Sequence, residues 1–149
     1  MKQIATDSLT RITLPSAIVY RTIKISPDSD VYYTASAPPD FDTSIYQLLI
    51  LGGEPRVVVS KVGLFNRDFV LSPDGRHLAF FRFDLDSSSL TNADINGIGE
   101  RKILTFRDRQ FRRFLAWSPD WKERCLCGTQ QKTANNRLKR LRFKREINA

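Results

Sequence analysis

One tetrapeptide decides how this chain folds, and it occurs as Ser26-Pro27-Asp28-Ser29, Ser72-Pro73-Asp74-Gly75 and Ser118-Pro119-Asp120-Trp121. The copies begin at residues 26, 72 and 118, which is a constant spacing of 46 residues. Proline presets φ, aspartate can hydrogen-bond to its own backbone and glycine accepts a positive φ, so each copy is expected to form a tight turn. The serine recurs with the turn, which argues for local hydrogen bonding and against a nucleophilic role. Self-similarity with a period of about 20–50 residues indicates a repeat architecture.

The residues between the second and third turns have the pattern of four short β-strands. The first is His77–Phe83, rich in aromatic and apolar residues, and the second covers residues 89–95. Residues 96–99 read Asn-Gly-Ile-Gly, which is a strong hairpin signal. The third and fourth strands are expected over residues 100–104 and 111–117. One unit of the repeat is therefore predicted to be four antiparallel strands.

The preceding unit repeats this order, with strands expected over residues 31–34, 43–50 and 55–60 and a turn at Leu51–Glu54. A four-stranded antiparallel sheet is the blade of a β-propeller. No stretch before residue 131 has sustained helical periodicity with caps, which argues against a leucine-rich or ankyrin-type solenoid. The predicted fold class is all-β, an incomplete β-propeller of about two full four-stranded blades with partial blades at each end. A β-sandwich is the alternative.

The period divides the chain into one partial propeller and a tail. The predicted propeller covers residues 1–128, as a half blade over 1–25, blades over 26–71 and 72–117, and a stub over 118–128; the tail is 129–149. Because propellers usually close with about 4–8 blades, we expect the chain to be a fragment of a larger propeller. Closure of the ring by self-association and an independent small β domain are the alternatives.

The repeat resembles a known family. The pattern Ser-Pro-Asp-Gly-x-x-[apolar]-Ala-Phe from Ser72, followed by Asn92–Arg101 and Ala116–Asp120, is similar to the TolB-type, or WD-like, β-propeller repeat. Leu51–Arg56 resembles the propellers attached to bacterial membrane-anchored serine/threonine protein kinases. That resemblance implies a non-catalytic, extracytoplasmic sensing or scaffolding part of a kinase. Similar repeats in prolyl-oligopeptidase-type peptidases and in TolB-like periplasmic scaffolds leave two other lineages open.

No motif of an enzyme is found in the chain. The Gly-x-Ser-x-Gly elbow, the phosphate-binding loop and the protein-kinase motifs are missing, so we expect no catalytic residue and no cofactor. Asp84 and Asp86 are interpreted as a solvated loop, with a cation site as the alternative. Cys125 and Cys127, at i and i+2 of an expected strand, are interpreted as small strand residues. A zinc site would need two further ligands, and His77 is the only histidine.

Several residues are expected to carry structure. Phe80 and Phe81 alternate along a strand, so one should face each neighbouring layer. Trp117 stands before the third turn where Leu71 and Ile25 stand before the second and first, and all three are predicted to pack between blades. Phe80 and Trp117 are the predicted core positions. Asp28, Asp74 and Asp120 are expected to hold the turns.

The net charge of +8 is concentrated at the end of the chain. Residues 122–149 hold nine basic and two acidic residues, so the rest is nearly neutral. The tail is interpreted as a solvated terminus, with a basic arm for nucleic acid or an anionic surface as the alternative. The contacts of such an arm would be Arg137, Lys139, Arg140, Arg142, Lys144 and Arg145.

The expected partners are a protein or peptide, or the remaining blades of the propeller, and open strand edges leave self-association possible. No aromatic ladder or groove motif supports a nucleic-acid module. The longest apolar run, Leu48–Leu51, is too short to span a bilayer, and residues 1–15 lack the apolar core of a secretory signal. The sequence leaves the cellular location open.

Overall fold

The computed structural model describes residues 19–39, 41–50, 53–63, 68–107 and 114–117, together with the backbone of 125–128. In these ranges the chain is all β, and it forms ten strands. They are β1 (Val19–Ile25), β2 (Val31–Ser36), β3 (Thr43–Leu48), β4 (Arg56–Val59), β5 (Phe69–Leu71), β6 (His77–Phe83), β7 (Ser88–Asp94), β8 (Arg101–Phe106), β9 (Phe114–Trp117) and β10 (Cys125–Gly128).

The strands form two four-stranded antiparallel sheets and one two-stranded sheet. Sheet A has the order β1-β2-β3-β4, sheet B has the order β5-β6-β7-β8, and β9 pairs with β10. Within each sheet, neighbouring strands are consecutive along the chain, as expected of short strands joined by tight turns. The prediction of all-β structure in repeated four-stranded antiparallel units is confirmed.

The boundaries of the sheets differ from the predicted ones. The strand before each Ser-Pro-Asp turn pairs with the strand after it, so β1 pairs with β2, β5 with β6 and β9 with β10. The sheets therefore run over residues 19–59 and 69–106, where blades were predicted over 26–71 and 72–117. The reason is that a tight turn places its two flanking strands side by side. Residues 1–18 of the predicted half blade and the tail 129–149 lie outside the described residues.

The two described turns are closed by the same hydrogen bonds. The Ser72 amide donates to the His77 carbonyl at 2.9 Å, and the His77 amide donates to the buried Ser72 hydroxyl at 2.9 Å. In the first turn Asp30 takes the place of His77, with amide donations of 2.9 Å from Ser26 to the Asp30 carbonyl and 3.1 Å from Asp30 to the Ser26 hydroxyl. The first turn is therefore one residue shorter than the second.

This shorter turn changes which strand residues correspond. After the turns, Val31 takes the place of Leu78 and Tyr33 takes the place of Phe80. These equivalent residues are 47 positions apart, whereas the Ser-Pro-Asp motifs are 46 apart. Tyr33 pairs with Ile23, and Phe80 pairs with Phe69. Because successive strand residues point to opposite faces, a slip of one residue reverses the faces of the whole strand.

The main core lies between sheet A and sheet B. Sheet A contributes Tyr32, Ile45, Val58, Val59 and the following Val62, while sheet B contributes Phe69, Leu78, Phe80 and Ala93. A second cluster on the other face of sheet B joins Ala79, Phe81 and Leu90 to Leu115 of β9. The prediction that Phe80 and Phe81 face different layers is confirmed. Burial of this apolar surface holds the layers together.

Candidate interaction surface

The first two repeat turns lie against each other. A Cβ built on Gly75 would stand 3.0 Å from Cδ of Pro27, so Gly75 permits this close approach and also supplies a φ of +70°. Ser29 adopts the same conformation, with φ 69°, at the equivalent place in the first turn. A non-glycine residue in the left-handed region costs roughly 1–2 kcal/mol. The turns thus bring one rim of sheet A to the same rim of sheet B.

Asp74 has a local structural task within its turn. Its carboxylate accepts hydrogen bonds from the Ser72 hydroxyl and from the Arg76 amide, the latter at 3.0 Å. These bonds lower the pKa of Asp74, with the Ser72 hydroxyl as the larger cause. Ser118, Pro119 and Asp120 of the third turn lie outside the described residues, as do the predicted basic contacts of the tail.

Asp84, half of the alternative cation site, lies beside a lysine. Asp84 lies 3.8 Å from Nζ of Lys102, and its amide closes the loop on the Ser87 carbonyl at 3.0 Å. Within the described ranges no group of three or more His, Cys, Asp or Glu side chains could hold a metal ion. Nor does that part of the chain contain a helix long and apolar enough to cross a membrane.

Arg82 connects the two sheets, and the sequence interpretation missed it. Its guanidinium donates to both carboxylate oxygens of Glu100 at 2.8 and 2.7 Å, and to the Ser60 and Lys61 carbonyls at 3.2 and 2.9 Å. It also stands 5.7 Å from the ring centroid of Phe80. The sequence signal for its role was a charged residue between Phe81 and Phe83 of a predicted strand. Both bonds to Glu100 come from Nη2, and hydrogen bonds between charged groups are stronger than those between neutral groups.

The residues before the three turns have unequal surroundings. Trp117 packs against the second core cluster, and its indole Nε1 donates to the Val70 carbonyl at 3.4 Å. Leu71 packs against the main core. Ile25, however, is 69% exposed, so the prediction that it packs between blades is wrong for the described structure. The sheet that covers Leu71 is sheet A, and no described element stands in that position over Ile25.

Ile25 belongs to a larger apolar surface, which we call the outer face of sheet A because it points away from sheet B. The strand registers place these residues on it: Tyr20, Ile23, Ile25, Val31, Tyr33, Ala35, Tyr46, Leu48 and Val57. Ile23 is 61% exposed, Ile25 69% and Val57 50%, whereas Tyr33, Ala35 and Leu48 of the same face are buried. Ile23 and Ile25 are neighbours on this face of β1, and adjacent exposed apolar side chains mark interaction sites, whereas single ones are ordinary.

Three tyrosines form the centre of the outer face of sheet A. The ring of Tyr33 stacks on Tyr46 at 5.3 Å between centroids and meets Tyr20 at 5.6 Å with a tilt of 58°. Burial raises the pKa of Tyr33 to about 12, and the neighbouring Tyr20 and Tyr46 add to the shift. The Tyr20 hydroxyl is buried without a hydrogen-bond partner among the residues that the structure describes. Tyrosine is enriched at protein interfaces because it offers an apolar ring and a polar end.

Sheet B shows how the equivalent face looks when it is covered. Phe69, Leu78 and Phe80, which correspond to Ile23, Val31 and Tyr33, are fully buried by the packing of sheet A. The contrast is greatest on the first strand of each sheet, where Phe69 is buried and Ile23 is exposed. On the outer face of sheet A, the first strand, β1, therefore has no described layer packed against it.

Comparison with known proteins bears on the fold alone. No family model matches the sequence, and no curated protein matches it. Among solved structures the chain is similar to a propeller in the crystal structure of a nidogen/laminin complex, with a TM-score of 0.56 and 21% identity over 75% of this chain and 40% of that chain.

A second similar structure is acylaminoacyl peptidase in complex with Z-Gly-Gly-Phe-chloromethyl ketone, matched in its propeller domain. The TM-score is 0.59 and the identity is 17%, over 89% of this chain and 20% of that chain. The chain thus spans less than half the length of either protein. Together with the two four-stranded antiparallel sheets, these similarities show that the chain is an incomplete β-propeller.

Proposed function

We propose that this chain is a non-catalytic β-propeller segment whose function is to bind another protein surface. The observation that carries the proposal is the outer face of sheet A, where exposed Ile23, Ile25 and Val57 surround a tyrosine cluster. The core of a protein interface is apolar, poor in charge and rich in aromatic residues. The described residues of this face have that composition.

The proposed origin is the sensor propeller of a bacterial membrane-anchored serine/threonine kinase. Support comes from the TolB-type repeat pattern and from the Leu51–Arg56 segment, which resembles those propellers. In that setting the chain belongs to the extracytoplasmic part of the receptor, and the chemistry belongs to a separate kinase domain. Function lies in sites carried by a fold, so the fold alone does not distinguish this origin from others.

A second origin is the propeller of a prolyl-oligopeptidase-type peptidase, which the similarity to acylaminoacyl peptidase favours. The coding DNA on both sides of this chain distinguishes the two. A kinase domain and one membrane span encoded upstream would support the first origin, and a hydrolase domain downstream would support the second. A signal peptide directly upstream, with neither domain, would instead support a TolB-like scaffold and contradict both.

Photo-crosslinking tests the binding function itself. A photoreactive residue at position 25 of the full chain, irradiated in the host cell, should give a discrete adduct. The matched control is position 85, because Leu85 is 81% exposed but lies in the loop between β6 and β7, away from the outer face of sheet A. Equal labelling at the two positions, or no adduct at position 25, would contradict the proposed function.

A further inference from the structure

We propose that the partner of the outer face of sheet A is a second copy of this chain, docked head to tail through its β9 and β10 strands. This inference rests on the proposed function and names its partner. It assigns the exposed strip of β1, around Ile23 and Ile25, to the contact.

The first step is that the layers of the chain follow one packing rule. Sheet A covers the Phe80 face of sheet B, and the opposite face of sheet B, with Phe81 and Leu90, contacts Leu115 of β9. The first strands of sheets A and B are also joined by an ion pair: Nζ of Lys24 in β1 lies 3.6 Å from the carboxylate of Asp68, the residue before β5. From β9 the Trp117 indole reaches the β5 backbone. Sheet B thus presents one face to its predecessor, sheet A, and the other to its successor, β9.

The second step is that sheet A presents a predecessor face with no described predecessor. Tyr33 and Ile23 stand where Phe80 and Phe69 stand in sheet B. Phe80 and its counterpart Tyr33 are both buried, but Phe69 is fully buried under sheet A while its counterpart Ile23 is 61% exposed. The uncovered strip lies on β1, the first strand of sheet A. A docked layer must therefore cover it with the first two strands of its own sheet.

The third step is that the chain itself contains a matching successor face. Leu115 and Trp117 pack on sheet B, so the intervening Ala116 lies on the opposite side of β9, where it is exposed. Leu126 of β10 pairs directly with Ala116. β9 and β10 correspond to the first two strands of sheets A and B, and one side of this pair is turned away from sheet B. It is therefore the described element that can continue the packing rule onto the β1 strip of another copy.

The fourth step concerns symmetry. The two surfaces are different, so the contact is heterologous, and such contacts produce a ring when the rotation between copies closes. Propeller layers are related by rotation about a common axis, which favours closure into a discrete ring over an open filament. We therefore expect one defined oligomer of the full 149-residue chain.

Sedimentation velocity over a range of protein concentrations tests the proposal. The wild-type chain should form a discrete oligomer, and Ile25→Asp and Ala116→Arg should each raise the midpoint concentration of assembly about thirtyfold or more, because each places a charge in the contact. Ile103→Asp is the matched control, since Ile103 is 47% exposed on β8 and outside both surfaces. It should assemble like the wild type. Circular dichroism checks that each variant is folded, and either interface variant suffices if the other does not fold.

Mixing the two interface variants gives the sharper result. Each retains one intact surface, so an equimolar mixture should form a one-to-one dimer that neither variant forms alone. A wild-type chain that stays monomeric, a loss of assembly in Ile103→Asp, or no heterodimer in the mixture would overturn the proposal. A monomeric chain that still gives an adduct with a different protein at position 25 would refute the second copy and leave the proposed binding function standing.

Discussion

Replacement of Gly97 by alanine tests the contact between the two sheets. Gly97 lies in the hairpin between β7 and β8, with φ +85°, and its amide donates to the Asp94 carbonyl at 2.8 Å. A Cβ at this position would overlap the carbonyl oxygen of Val58, which is backbone of β4 in the other sheet. The sheets must then separate locally, or the hairpin must move.

Gly99 provides a matched control in the same hairpin. Its φ is +71°, and a Cβ there would meet only the Asp94 carboxylate, at 3.7 Å, an ordinary contact. Both substitutions place alanine in the left-handed region, which costs roughly 1–2 kcal/mol. Gly97→Ala adds the cost of overpacking, which is about 1–3 kcal/mol. We therefore expect a loss of roughly 1–2 kcal/mol for Gly99→Ala and about 2–5 kcal/mol for Gly97→Ala.

Equilibrium unfolding in urea, followed by tryptophan fluorescence and by circular dichroism, measures both losses. Coincident transitions by the two probes justify a two-state free energy. Amide exchange of Val59 should also accelerate in Gly97→Ala and stay near the wild-type rate in Gly99→Ala. If the two variants lose the same free energy of unfolding, the close approach of the hairpin to Val58 does not contribute to stability, and the reasoning fails.

Three further changes test the core, the tyrosine cluster and the turn. Phe80→Ala should lower the free energy of unfolding by about 3–5 kcal/mol, whereas Leu85→Ala, on an exposed loop, should change it by less than about 0.5 kcal/mol in urea titrations. The raised pKa of Tyr33 contributes stability that is present below pH 10.0 and is lost as the pH rises toward about 12. Tyr33→Phe should therefore lose less stability over that range than the wild type; parallel pH profiles would contradict this. Ser72→Ala leaves the His77 amide without its hydroxyl acceptor and should cost about 1–3 kcal/mol by thermal unfolding, and a neutral result would show that the turn does not depend on it.

Much of the fold could be predicted because it depends on local chemistry. The Ser-Pro-Asp turns and the Asn96–Gly99 hairpin specify where strands begin and end, and the alternation of Phe80 and Phe81 specifies two buried faces. The strand pairing around each turn was assigned to the wrong neighbours, because period alone does not say whether a turn joins two blades or two strands of one blade. The hydrogen bonds between Ser72 and His77 decide that question.

The candidate surface could not be predicted from the sequence. Ile25 and Leu71 have the same place in the repeat and similar side chains, yet one is exposed and the other packs on the core. Exposure depends on which sheet covers the residue, and that is a property of the assembled layers. Arg82 was missed for a related reason, because its partners Ser60 and Lys61 come from the other sheet.

The shortened first turn has a consequence for anyone who transfers blades between propellers. An alignment anchored on the Ser-Pro-Asp motif matches Phe80 with Thr34, but Thr34 is buried on the side of sheet A that meets sheet B. A chimera built on that alignment would push phenylalanine into a space occupied by threonine and would leave Tyr33 without an aromatic substitute. Moving the graft by one residue brings Phe80 onto Tyr33 and keeps the side chains of the strand after the turn on their own sides. Consensus sequences for such repeats therefore need separate alignments before and after the turn.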